Sequence, residues 1–127
     1  VGLSANSAAM AADPSAWNNT CGIGKDSADA TWQIIMRGTA ATKTNTGITV
    51  TAGQVIDFAM FATPNGSNIT CRIADAVTGA VLYDNTSFTT NLPTNTTFMY
   101  MQAHTQSTTG TTAKTLALNR MYMETDL

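Results

Sequence analysis

Few residues of this 127-residue chain could do covalent or acid–base chemistry, and their spacing argues against it. A Ser/His/Asp or Cys/His site would need His104, the single histidine, which lies in Gln102-Ala103-His104-Thr105. No G-x-S-x-G elbow occurs anywhere to present a nucleophile, so the expected role is a surface or interface histidine. Asp26 and Asp29, in Lys25-Asp26-Ser27-Ala28-Asp29-Ala30, are the best pair of carboxylates. Close carboxylates could serve glycoside hydrolysis or hold Ca²⁺. The D-x-[DN]-x-[DN]-G calcium loop is absent, however, and Asp side chains commonly bond the backbone of their own turn. Turn capping is therefore the expectation. Glu124 and Asp126 are expected to be solvated or paired to Arg120. Gly22-x-Gly24-Lys25 lacks the G-x-x-x-x-G-K-[ST] pattern of a phosphate loop, and no helix is expected after it. The chain is expected to be no enzyme, with no cofactor and no metal.

Cys21 and Cys71 are too few for a disulfide framework. Cys71 shares one face of an expected strand with Ile69 and Ile73, which points to a small buried hydrophobe. A Cys21–Cys71 bridge is the alternative. A zinc site lacks ligands, because only one histidine is present. Aromatic rings are candidates for sugar stacking, since the C–H face of a sugar packs on a ring while its hydroxyls bond amides. Trp17, in Ser15-Ala16-Trp17-Asn18-Asn19, is the candidate exposed ring, with Asn18, Asn19, Asn65 and Asn68 as loop partners. Trp32, within an expected strand, reads as core. Tyr83, Tyr100 and Tyr122 fit an interface or a sugar surface equally well. The five Asn-x-Ser/Thr sequons, at Asn18, Asn65, Asn68, Asn85 and Asn95, are expected by chance in so Thr-rich a chain.

The elements that must position these residues are constrained by composition. Leu, Ile, Val and Phe make 22 of 127 residues, low enough to raise the question of disorder. Disorder also needs high net charge, and the charge is -2 with 11% charged residues. A folded chain with a thin core follows, filled out by seven Met and nineteen Ala. Thr, at 24 residues, is β-branched and suits an extended backbone. The mildly acidic balance predicts no nucleic-acid partner. No apolar run approaches the ~20 residues of a bilayer span, so no membrane insertion is expected, and no signal peptide is recognisable. The start at Val1 fits either removal of an initiator Met or a piece of a longer protein.

One domain over 1–127 is expected. Residues 1–20 read as an extended or looping lead-in, with Asp13-Pro14-Ser15 as a turn and Leu3 to Met10 able to form a short helix. Strands are expected over 20–24, 31–37, 48–50, 55–62, 68–74, 80–84, 97–103 and 115–123. Pro64-Asn65-Gly66 marks the strongest turn. Short strands with regular turns argue for an all-β, antiparallel β-sandwich, jelly-roll-like. The last two strands are apolar on both faces. Phe98 and Tyr100 oppose Met99 and Met101; Leu116, Leu118 and Tyr122 oppose Ala117, Met121 and Met123. A half-solvated sheet should be polar on one face, so the second face is covered either by a neighbouring subunit or by its own domain. Met99, Met101, Met121, Tyr122 and Met123 are the interface candidates.

Several segments resemble a recurring part of tailed-bacteriophage structural proteins: Asp13-Pro14-Ser15-Ala16, Gly22 to Gln33, Ala62-Thr63-Pro64-Asn65-Gly66-Ser67, Thr90 to Thr96, and the ending Leu118 to Leu127. The likeness covers most of the chain in the same order; Cys21 and Cys71 lie outside its pattern. It implies the C-terminal domain of a tail fibre, tail spike or other virion appendage, preceded by further β-structure. Such appendages are commonly homotrimers, which would cover the two-sided strands. The implied partners are further copies of the chain, other virion proteins and host-surface polysaccharide. The implied location is the virion, assembled in the host cytoplasm. The resemblance supplies no catalytic residues. Two other functions suit the composition: a capsid decoration (cement) protein stabilising the phage head, and a carbohydrate-binding module of a secreted enzyme.

Overall fold

The computed structural model describes residues 1–7, 12–64, 66–106 and 115–124. Among them the chain is all-β, with strands β1 (Gly2–Ser4), β2 (Thr20–Gly24), β3 (Thr31–Arg37), β4 (Ala41–Thr49), β5 (Ile56–Ala62), β6 (Ile69–Asp75), β7 (Val81–Phe88) and β8 (Tyr100–Gln102). A single 3-10 turn, Pro14–Ala16, interrupts them. The strands form two antiparallel sheets, ordered β4-β3-β2-β1-β8 and β5-β6-β7. Each sheet is a meander, except that β8 returns beside β1. This order is simpler than the double Greek key of a jelly roll.

The sheets share one core, so the architecture is sandwich-like. Period-two side chains supply it. Cys21 and Ile23 of β2 and Ile34 and Met36 of β3 meet Ile69, Cys71 and Ile73 of β6 and Phe88 of β7. Ile56, Phe58 and Met60 of β5 and Trp32 of β3 pack at its margin. The expected alternation of β5 and β6 and the core role of Trp32 are found as read. Turns are built by their own side chains. Asp75 Oδ1 accepts from the Val77 N–H, the Thr78 N–H and the Thr78 hydroxyl, and Gly79 takes the left-handed φ of 73° that closes the β6–β7 hairpin. At the β5–β6 hairpin the Gly66 N–H donates to Thr63 O at 2.8 Å.

Five expectations need correction, the first being that β7 runs over Val81–Phe88 and not 80–84. The lead-in holds β1, which inserts between β2 and β8, so Leu3 lies in a strand and not in a helix; 8–11 lie outside the described residues. β4 runs over nine residues and not 48–50. Its alternating Thr42, Thr44 and Thr46 turn inward relative to exposed Ala41, Lys43 and Asn45, a pattern without apolar contrast. Of 97–103 only Tyr100–Gln102 is strand. Residues 115–124 pair with no strand, although 115–123 reads as one. A strand needs a neighbour for its backbone groups, and the end of the chain has none within the described residues.

Two close approaches explain the glycines. Gly2 and Gly22 face each other in the β1–β2 register. A Cβ on Gly22 would fall 2.4 Å from Val1 O and 2.7 Å from the Gly2 Cα. Gly22 is thus required by backbone contact, not by a phosphate. The variant Gly22→Ala is expected to cost about 1–3 kcal/mol through overpacking. Urea unfolding checks this, and an unchanged midpoint would contradict the tight β1–β2 contact.

Candidate functional site

Among the described residues a dense polar cluster lies on the outer face of the larger sheet. Ile35 of β3 points away from the shared core yet is 1% exposed. The Pro14–Ala16 turn covers it: a Cβ on Gly24 would stand 3.1 Å from Ile35 Cδ1 and 3.4 Å from Pro14 Cβ, so these three are mutual neighbours. Carboxylates pin that cover. Asp26, 6% exposed, accepts from the Ser15 N–H at 3.1 Å and from the Ser15 hydroxyl at 2.6 Å. Asp13 accepts from the Ser27 N–H and hydroxyl. Asp29 Oδ2 accepts from the Asp26 N–H. Lys43, opposite Ile35 in the β3–β4 register, bridges Asp26 and Asp29 at 2.8 Å each. Arg37 donates to Ser15 O and to Asn18 Oδ1.

Burial alone raises the Asp26 pKa, but hydrogen bonds from Lys43 and Ser15, with the Lys43 charge, hold the carboxyl below its usual value. Hydrogen bonds to Asp26 and Asp29 raise the Lys43 pKa. A general acid needs a raised carboxyl pKa and an open approach; Asp26 has neither. Asp29 caps its own turn as expected, whereas Asp26 bonds the backbone of the Pro14–Ala16 turn, 11 residues away. Sequence reading missed Ser15 and Lys43 as their partners, which lie 11 and 17 residues from Asp26 with no local motif to mark them.

Trp17 stands beside this cluster, half-buried. Its indole N–H donates to Ala12 O at 2.8 Å, and its ring meets His104 edge-on at 5.6 Å and 76°. His104 therefore helps to hold the lead-in against the end of β8. Gln102 Nε2 adds a hydrogen bond to Asn6 O. Asn18 is exposed, and Asn19, at a left-handed φ of 47°, accepts from the Thr94 N–H. Asn68 lies at the start of β6 in the other sheet, and Asn65 lies outside the described residues. The structure thus groups Trp17, Asn18 and Asn19 by sequence alone. On the outer face of the smaller sheet Asp57, Ala59, Arg72, Ala74 and Gly79 line a shallow depression of about 260 Å³.

The interface candidates divide. Met99 packs against the core, and Met101 is half-buried, opposite Leu3 in the β1–β8 register. Met121, Tyr122 and Met123 are exposed, as are Leu116 and Leu118. Tyr122 donates its hydroxyl to Glu124, and no Arg120 ion pair forms among the described residues. Phe98, 91% exposed, is the most uncovered large hydrophobic side chain among the described residues, and only its place opposite Met99 and Met101 hinted at it.

The clasp predicts a pH dependence. A carboxyl held below its unfolded value adds stability above that value and loses it as pH falls through the folded pKa. Acid unfolding should therefore steepen below about pH 4, and Asp26→Asn should flatten that limb. Lys43→Met should cost about 1–3 kcal/mol at pH 7, a buried carboxylate losing its partner discounted for the partial exposure of Lys43. Chemical denaturation across pH checks both; a pH-independent difference between Asp26→Asn and the parent would count against the clasp.

Compared with family models, with curated proteins and with solved structures, the chain matches none.

Proposed function

We propose that this chain is a non-enzymatic structural domain of a phage virion, a tail-fibre or appendage domain that works by associating with further copies of itself. The observation that carries the reading is surface left uncovered. Among the described residues Phe98, Leu116, Leu118, Tyr122 and Met123 stand open to solvent, and closed rotational assemblies bury apolar surface of this kind between copies.

The kind of surface supports the same reading. Residues 115–124 carry Leu116, Leu118, Met121, Tyr122 and Met123, all exposed and unpaired to any strand, with Phe98 and Tyr100 exposed near β8. Met and aromatic side chains are enriched at interface cores. The resemblance to virion appendages supplies the setting, and Asp26, Asp29 and His104 serve structural contacts. Host-surface polysaccharide is the external ligand such a tip would take, through several weak sites acting together. Trp17 offers it less ring than its loop position promises, since His104 and Ala12 already engage it.

Light scattering on the purified chain should return about three times the 13.3 kDa subunit mass. Met121→Glu combined with Met123→Glu should raise the dissociation constant at least about 100-fold, since each buried Met contributes roughly 1.5–3 kcal/mol. Far-UV circular dichroism should stay unchanged. A parent chain that is monomeric throughout the micromolar range would sink the proposal.

A further inference from the structure

The clasp and the uncovered end leave the two thiols without a role. Cys21 belongs to β2, in the middle of the five-stranded sheet, and Cys71 to β6, in the middle of the three-stranded sheet. Both side chains point into the same interlayer, at 3% and 0% exposure, within one cluster with Ile23, Ile34, Ile69 and Ile73. They are the chain's two cysteines, one in each layer, and both are free thiols. Burial pushes the Cys71 thiol up to about 12, with a smaller contribution from the charge of Cys21. Cys21 is also pushed up to about 12 by burial, against a smaller opposing hydrogen bond from the Leu3 backbone.

We infer that Cys21 and Cys71 are a latent inter-sheet cross-link, a dithiol that closes to a disulfide when the chain folds in the presence of a small-molecule disulfide. Closure takes two exchanges. One cysteine, as thiolate, attacks a sulfur of the small disulfide; an Sγ–S bond forms, the small S–S bond breaks, and one small thiolate leaves and takes up a proton. The second cysteine, deprotonated in turn, attacks the first cysteine's Sγ. The Cys21–Cys71 Sγ–Sγ bond forms and the second small thiolate leaves, to be protonated. The protein loses two protons and two electrons, and the small disulfide takes them up to become two thiols.

Packed sheets stand about 10 Å apart, and a disulfide holds its Cα atoms about 4.4–6.8 Å apart, so closure requires the layers to approach locally. The register shift between Ile69 and Cys71 in the β6–β7 pairing lies where that adjustment must be made. In the folded, reduced protein the thiols are buried and protonated, and exchange needs a thiolate. The reaction therefore belongs to folding, before the sheets close.

The test is to refold the full chain from denaturant in oxidised and reduced glutathione, quench in acid, alkylate under denaturing conditions and measure intact mass. The expected product is a monomeric polypeptide two mass units lighter than the reduced chain, with no alkyl group added. It should melt roughly 10 °C higher than the reduced form, because the closed loop restrains the unfolded chain. Cys21→Ala and Cys71→Ala should each leave a single sulfur that carries either an alkyl group or one glutathione. Two alkylated cysteines in the refolded parent would overturn the inference, and so would cysteines joined only between chains.

Discussion

Everything in this fold depends on one meeting of side chains, the contact of Ile34 and Met36 with Cys71 and Ile73 across the two sheets. The chain has few large aliphatic residues, and it spends most of the inward-facing ones on that interlayer. Burial of apolar area contributes about 25 cal/mol per Å², so one filled layer supplies most of the drive to fold. Sheet order follows from this. Each meander puts its richest strands, β3 and β6, over the shared core, while Thr-rich β4 takes an edge.

A thin core leaves other faces to be held by polar means. Ile35 lies on the wrong face for the interlayer, and a short proline turn covers it. Asp26, Asp29 and Lys43 hold that turn with saturated hydrogen bonds. A buried ion pair roughly offsets its own desolvation, so its main effect here is to fix geometry: the lead-in lies in one place, and Trp17 meets His104 there. Where no such polar cover exists, at Phe98 and along 115–124, apolar surface stays open to solvent.

Much of this was legible in the residues. The clean alternation of Ile56, Phe58 and Met60, and of Ile69, Cys71 and Ile73, identifies β5 and β6 because one face is dry. The Thr63–Ser67 and Val77–Gly79 turns are written in their own side chains. β4 escaped because Thr alternating with Thr-like polar residues shows no contrast, although β-branching suits the strand. The segment 115–123 misled for the opposite reason: alternation states that a strand could form, and pairing decides whether it does. β1 was invisible, since three residues carry no period and the Gly2–Gly22 contact is not local. Capping by Asp29 was readable from its own turn; the bonds of Asp26 to Ser15 and of Lys43 to both carboxylates, which join distant segments, were not. The loop position of Trp17 was readable, but its approach to His104 was not.

The pairing of β1 with β8 joins the first and last strands among the described residues. On a ribosome these two strands are made far apart in time. Until Tyr100–Gln102 emerges, β1 stays an open edge with unmatched amides, a template for whatever strand arrives first. High contact order of this kind slows folding. It also means that a nascent chain stalled before β8 carries an adhesive margin into its surroundings.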